Sequence, residues 1–346
     1  MRSRLDFHWL NSSKVAQLQV VAVCSVAGAC GGNESAFHPA GPQAGRISSL
    51  WWFMLIVSAA VWLLVMTALA YSLRKNHNRT IHGHDEEASQ RKMKRAVGAA
   101  TALTVLILVV TLVYDVATGS AMAALPNKDA LRINVVGKQW WWQVTYEDPT
   151  PSNQVVTANE IHVPVGEPVQ IIGTSHDVIH SFWAPNLFGK KDLIPGHTTA
   201  TWFQADTPGV YRGQCAEFCG HQHAKMAILI VAEPRAKFED WYRAQLLPAA
   251  PPSGSSGKKG EQVFMSRGCP LCHTVGGTRA RGTIGPNLTH IGSALTLAAG
   301  SLRNTRGNLA GWILDPQQIK PGVRMPPNDL SGPELQAILA YLENLK

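Results

Sequence analysis

With 346 residues the chain has room for two or three domains. Only 16% of its residues are charged and 45% are hydrophobic, a balance that leans toward a membrane protein with soluble parts. The net charge of +8 excludes little by itself, but no phosphate-binding glycine loop or interleaved basic–aromatic stripe accompanies it, so nucleic acid is not expected as a partner.

The charge is unevenly spread. Residues 1–118 carry eleven basic against six acidic side chains, 119–246 ten against twelve, and 247–346 ten against five. A basic last third beside a mildly acidic middle predicts attraction between those two parts. The six cysteines fall in three close pairs, Cys24 with Cys30, Cys215 with Cys219, and Cys269 with Cys272. Pairs beside histidine are a metal or haem pattern, not a disulfide framework.

Residues 1–30 form a leader. Arg2, Arg4 and Lys14 flank a modest apolar run from Val15 to Ala29. Its end, SVAGAC before Gly31 and Gly32, fits two readings. One is a lipoprotein processing site that leaves Cys30 lipidated. The other is a plain leader, cut near Ala29 or retained.

Two membrane crossings are expected within residues 46–118. Trp51 to Leu73 and Ala96 to Val113 are uncharged, and the first is long enough to span a bilayer core. The connector from Arg74 to Arg95 is rich in lysine and arginine, which places it in the cytoplasm and both chain ends outside. Trp51, Trp52 and Tyr114 stand where interfacial aromatics belong.

Residues 119–246 change period. Val155, Ile161, Val163, Val165, Val169 and Ile171 alternate, with Pro164, Gly166 and Pro168 as punctuation, and Ala227 to Val231 is a further β-rich run. Short strands with turn signals predict an antiparallel β-sandwich or barrel. Between its strands lies CAEFCGHQHAKM, Cys215 to Met226. Thiolate, thioether and imidazole donors together select copper over harder ions. A zinc site would not need the methionine, and thiols this close in one loop bridge poorly.

Residues 247–257 read as a linker rich in proline, glycine and serine, stiff in its first half and loose in its second. Residues 258–346 then open on CPLCH, Cys269 to His273. C-x-x-C-H attaches a c-type haem through both thiols and supplies the histidine as proximal ligand. Met325, held in the rigid RMPP, is the expected sixth ligand, with His290 as its rival. Leu335, Ile338, Leu342 and Leu345 fall at helical spacing, so this domain is expected to be all-α.

On CAEFCGHQHAKM, DVIHSFW (Asp177 to Trp183), VVGKQWWWQVTYED (Val135 to Asp148) and KDLIPGH (Lys190 to His197), the chain resembles cytochrome c oxidase subunit II over about residues 46–240. On CPLCH, GPNL (Gly285 to Leu288) and the Met325 loop it resembles small monohaem cytochromes c over residues 258–346. Together these are similar to a subunit II with a fused cytochrome c, as in caa-type haem-copper oxidases.

The resemblance implies a cupredoxin-type Greek key for the β domain and a binuclear copper (CuA) centre. Cys215 and Cys219 would bridge the coppers, and His180 and His223 would be terminal ligands. Met226 and the Glu217 carbonyl would complete the set, with His176 and His221 left as ordinary loop residues. It implies that Trp140 faces the electron donor, although Trp140, Trp141 and Trp142 also suit plain packing at a membrane surface. It further implies partnership with oxidase subunit I, and with subunit III, and a cytochrome c or bc-type complex as donor. The chain would sit in a bacterial inner membrane with the metal domains on the outer side. Electrons would pass from haem to copper to the haem of subunit I, where oxygen is reduced with proton pumping.

One feature departs from the family. The stretch before the second membrane helix reads KMKRAVGAA, where relatives often carry a glutamate at a proton entry, and the nearest acids are Glu86 and Glu87. Two rival classes are a membrane-anchored electron carrier or copper-delivery protein, and a component of a nitrous oxide or nitric oxide reductase. Delivery needs exchangeable, usually mononuclear copper, and nothing here is large enough for a propeller domain.

Overall fold

The computed structural model describes residues 34–76, 86–124 and 130–346. The leader 1–30 with Cys30, the middle of the basic connector and the Glu86 side chain lie outside the described residues.

Helices α1 (Pro42–Asn76) and α2 (Glu86–Ala123) outrun the expected spans at both ends. Backbone hydrogen bonding continues a helix into polar flanks, so an uncharged core marks the membrane depth and not the helix ends. Both are long and apolar enough to cross a membrane. Trp62, Leu64, Leu106 and Val113 stand exposed along them, an arrangement suited to lipid. Phe53 meets Tyr114 edge to face at 5.3 Å between the two helices.

The β domain packs a five-stranded sheet on a three-stranded one. The first, in the order β3 (Val155–Ala158), β2 (Trp141–Tyr146), β1 (Leu131–Lys138), β5 (Pro168–Ser175), β8 (Thr199–Gln204), faces the second, β4 (Glu160–Pro164), β10 (Ala227–Glu233), β9 (Gly209–Gln214). A short ribbon, β6 (His180–Phe182) with β7 (Lys191–Leu193), closes one end. Alternation along β1 and β5 sends Ile133, Val135, Val169 and Ile171 inward, where they meet Trp142, Phe182 and Ile230. The sandwich is cupredoxin-like but not wholly antiparallel: β1 pairs β5 and β4 pairs β10 in parallel. The chain leaves one sheet for the other between these strands, and such crossovers permit parallel pairing. Helix α3 (Arg235–Gln245) covers the edge, with Trp241 against Tyr146 and stacked on His162.

The last domain is helical. Helix α4 (Gly254–Ser266) packs on α8 (Gly332–Asn344), these two with α5 (Cys269–Cys272) and α6 (Arg306–Leu314) border a cleft, and α7 (Pro316–Ile319) packs on α6. A ladder of two residues per strand, β11 (Thr296–Leu297) with β12 (Leu302–Arg303), and a bridge between Thr274 and Arg281 are its β pairing among the described residues. Ser331 and Glu334 form a reciprocal cap at the start of α8.

The linker expectation differs from the fold. Helix α4 begins at Gly254, so residues 254–257 are helical. Ala249 N–H donates to Gly276 O at 3.0 Å, and Asn344 Nδ2 donates to Pro251 O at 3.1 Å, which lays the first half on the haem domain. Past the linker, Gly260 serves close packing: a methyl group there would fall 2.0 Å from Ala337 O on α8.

Candidate copper loop and haem cleft

The β6 strand, the turn after β9 and the turn before β10 meet at one end of the sandwich. Cys215 Sγ and Cys219 Sγ lie 3.8 Å apart, with His180 Nδ1 3.9 Å from the first and His223 Nδ1 3.7 Å from the second. Met226 Sδ is 3.9 Å from Cys219 Sγ, and Cys215 Sγ reaches the carbonyl of Glu217 at 3.2 Å. All six residues expected from the sequence are thus gathered. His176 and His221 are exposed and outside this group.

These donors fit copper. Their spacing leaves room for a metal among them rather than a disulfide, and all the soft donors except His223 are buried. The sulfurs titrate as a pair, their mutual hydrogen bond lowering Cys215 and raising Cys219. One proton leaves readily, and the second stays until a cation replaces it. Burial works against charging His180, but hydrogen bonds to Cys215 and Asp177 outweigh it and raise its pKa.

A residue without an assigned role in the sequence reading orients that histidine. Asp177 Oδ1 accepts from His180 Nε2 at 2.9 Å, which turns Nδ1 toward the sulfurs. The amides of Gln139 and Val178 fix the carboxylate in turn, at 2.7 and 2.8 Å. The signal was the acid three residues before the histidine in DVIHSFW.

Trp140 is buried, and its indole N–H donates to Cys219 O at 2.8 Å. Gln139 Nε2 donates to the same carbonyl at 2.9 Å. Trp141 is half-buried, while Trp142 packs edge-on against the His180 ring.

In the last domain Cys269, Cys272, His273 and Met325 line a cleft of about 510 Å³, which suits a bound cofactor. His273 Nδ1 donates to Pro286 O at 2.7 Å, freeing Nε2 to ligate, and burial lowers its pKa so that it stays neutral. A methyl group at Gly285 would lie 2.6 Å from the His273 ring, so the glycine makes room for it. Gln317 Nε2 braces the methionine loop, donating to Val323 O and Met325 O at 2.8 Å each. His290 also reaches the cleft, with Nε2 at 3.2 Å from Leu247 O and Nδ1 buried without a partner. These residues fit a covalently attached haem.

The other wall of the cleft belongs to the β domain: Trp140, Trp141, Val156 and Trp241 line it as well. Among the described residues no ion pair joins the two domains. The contact is made by buried side chains and by hydrogen bonds to backbone carbonyls, together with one bond to a carboxylate, from the amide of Leu295 to Glu160 Oε2 at 3.0 Å.

Comparison with known proteins follows the same division. Residues 149–233 match the family described as cytochrome C oxidase subunit II, periplasmic domain, and residues 257–346 match cytochrome c. A cytochrome c oxidase subunit 2 from Alkalihalophilus pseudofirmus is 36% identical over 91% of this chain and 91% of its own. Another from Bacillus subtilis is 30% identical over 70% of this chain and 72% of its own. The solved periplasmic domain of cytochrome oxidase subunit II from Bradyrhizobium japonicum is 34% identical, with 35% of this chain and 96% of that one covered at a TM-score of 0.33. The chain belongs to the cytochrome c oxidase subunit 2 family, and carries a cytochrome c domain at its C-terminal end.

Proposed function

We propose that this chain is the electron-entry subunit of a respiratory haem-copper oxidase, anchored by α1 and α2, with its two metal-binding domains on the outer face of the membrane. Electrons are received by the cytochrome c domain from a cytochrome c or bc-type complex, handed to the copper loop, and passed to the haem of a partner subunit I. Oxygen chemistry and proton pumping belong to that complex. When bound, the haem and a binuclear copper centre supply reversible one-electron chemistry.

The chain's own residues set the conditions. Cys215, Cys219, His180, His223, Met226 and the Glu217 carbonyl would hold the copper, supplying thiolate, imidazole, thioether and carbonyl donors. Asp177 fixes His180 against rotation. Cys269, Cys272, His273 and Met325 would hold the haem, and a methionine–histidine pair raises the potential.

The observation that carries this reading is the place of Trp140. It lines the haem cleft and also donates to the carbonyl of Cys219, a copper-ligand candidate. One side chain therefore touches both sites. Purification of the chain from its native membrane tests the reading: it should bring a large polytopic haem-containing subunit and oxygen-reducing activity. A chain that purifies alone, with both metals bound, would be an independent carrier instead.

A further inference from the structure

We propose that Lys320 is a positioning residue for electron transfer: it latches the loop leading to Met325 onto the Trp140 turn, and so holds the haem cleft against the copper loop. The inference rests on the electron-transfer reading above and adds the element that fixes its geometry.

Lys320 is 1% exposed, although it is a lysine at the surface of its own domain. Its Nζ donates to Trp140 O at 2.7 Å in the β domain and to Ala298 O at 3.1 Å in its own. Among the described residues no carboxylate pairs with it. Burial in this seam pushes its pKa down to about 7. A lysine kept only for solubility would extend into water, whereas this stem is buried to its tip.

Its neighbours make the same junction. Lys225 Nζ donates to Ile319 O, and Gln222 Nε2 donates to Pro321 O at 2.7 Å. Gly322 takes φ +89° and sits under the Trp140 indole, where a methyl group would lie 3.6 Å from the ring. Val323 packs on the β-domain core. Residues 319–323 thus all touch the copper domain, and two residues later comes Met325. Gln317, bonded to Gly322 N, Val323 O and Met325 O, couples that grip to the methionine.

A tether alone holds two domains at roughly millimolar effective concentration in many orientations. The latch selects the orientation in which Trp140 stands between the two sites. A role confined to folding of the haem domain would need only the bond to Ala298.

The test uses the full-length chain in detergent as wild type, Lys320→Met and Lys320→Gln. In copper-free protein that keeps its covalent haem, deuterium exchange reports docking at the Ala227 amide, which donates to Ala299 O across the seam at 2.9 Å. Leaving Trp140 O unmatched, while Ala298 O keeps its bond from Ser301 Oγ at 2.8 Å, should raise exchange on the order of tenfold in Lys320→Met, with partial recovery in Lys320→Gln, which keeps a donor. In loaded protein a photochemically injected electron is followed: one electron lost by the haem iron is gained by the copper centre, with no group transferred. That step should slow on the order of tenfold in Lys320→Met while both absorption spectra stay unchanged. Unaltered exchange and rate would overturn the latch and leave the electron-transfer reading standing. Loss of the haem spectrum in both variants would assign Lys320 to folding and overturn it too. A fully loaded wild type that passes no electron from haem to copper would instead bring down the underlying reading, and the latch with it.

Discussion

Gly137→Ala places one methyl group against the copper loop from behind. It would lie 2.7 Å from Cδ2 of His180, 2.9 Å from Cγ and 3.0 Å from Cβ. Carbon atoms rest at about 3.5–4.0 Å, so strand or ring must yield by about 1 Å. The ring is fully buried, held by Asp177 on one edge and packed against Trp142. Strand β1 is fixed on both sides, with Gly137 opposite Trp142 in β2 and Ser175 in β5. Overpacking of this kind costs about 1–3 kcal/mol. Metal ligands tolerate shifts of only about 0.2 Å, so the same displacement should take His180 out of reach. The unfolding temperature of the copper-free chain should fall, and copper affinity, measured by competition with a chelator, should drop by about tenfold or more. Wild-type affinity together with an unchanged unfolding temperature would refute the claim that Gly137 is there to seat His180.

Further substitutions separate the two sites and their supports. Cys219→Ser should destroy the mixed-valence copper absorption and leave the c-type haem spectrum intact; two strongly coupled coppers retained in that variant would sink the ligand assignment. Met325→Ala should keep the haem covalently attached through Cys269 and Cys272 but lose the sulfur-to-iron band; if the band persists and His290→Ala removes it, His290 is the ligand. Asp177→Asn should weaken copper binding by about 10–100-fold without unfolding the sandwich, as read by chelator competition and circular dichroism. Glu334 is held down at about 2 by Arg267 and by Ser331 at the start of α8. A depressed carboxylate stabilises above its unfolded pKa, so this contribution should be present above about pH 4.5 and fade as pH falls toward 2. Glu334→Gln should flatten that part of the acid unfolding curve.

Much of the site was legible because the candidate copper and haem ligands are short-spaced along the chain. CAEFCGHQHAKM and CPLCH each present their donors within one turn or loop, and folding brought the first set together with His180 as the resemblance implied. What the sequence hid lies in groups joined only by tertiary packing. Asp177 takes its role from its bond to His180, which only the fold brings about. Lys320 belongs to no motif, yet it is buried across a domain seam. The glycine and serine run before Lys258 read as a loose tether because its composition gave no sign of the helix that starts at Gly254. The segment before that helix lies on the haem domain through Ala249 and Pro251. The charge excess of the last domain also misled about the manner of contact, which uses backbone carbonyls in place of ion pairs. Parallel pairing of β1 with β5 escaped because alternation gives a strand's faces and not its neighbours.

Flash-induced reduction of the haem in the intact, fully loaded chain tests the central claim most directly. The haem should reoxidise in step with copper reduction, one electron for one, at a rate independent of protein concentration. Haem reoxidation without matching copper reduction, or a rate proportional to protein concentration, would contradict electron transfer within the chain.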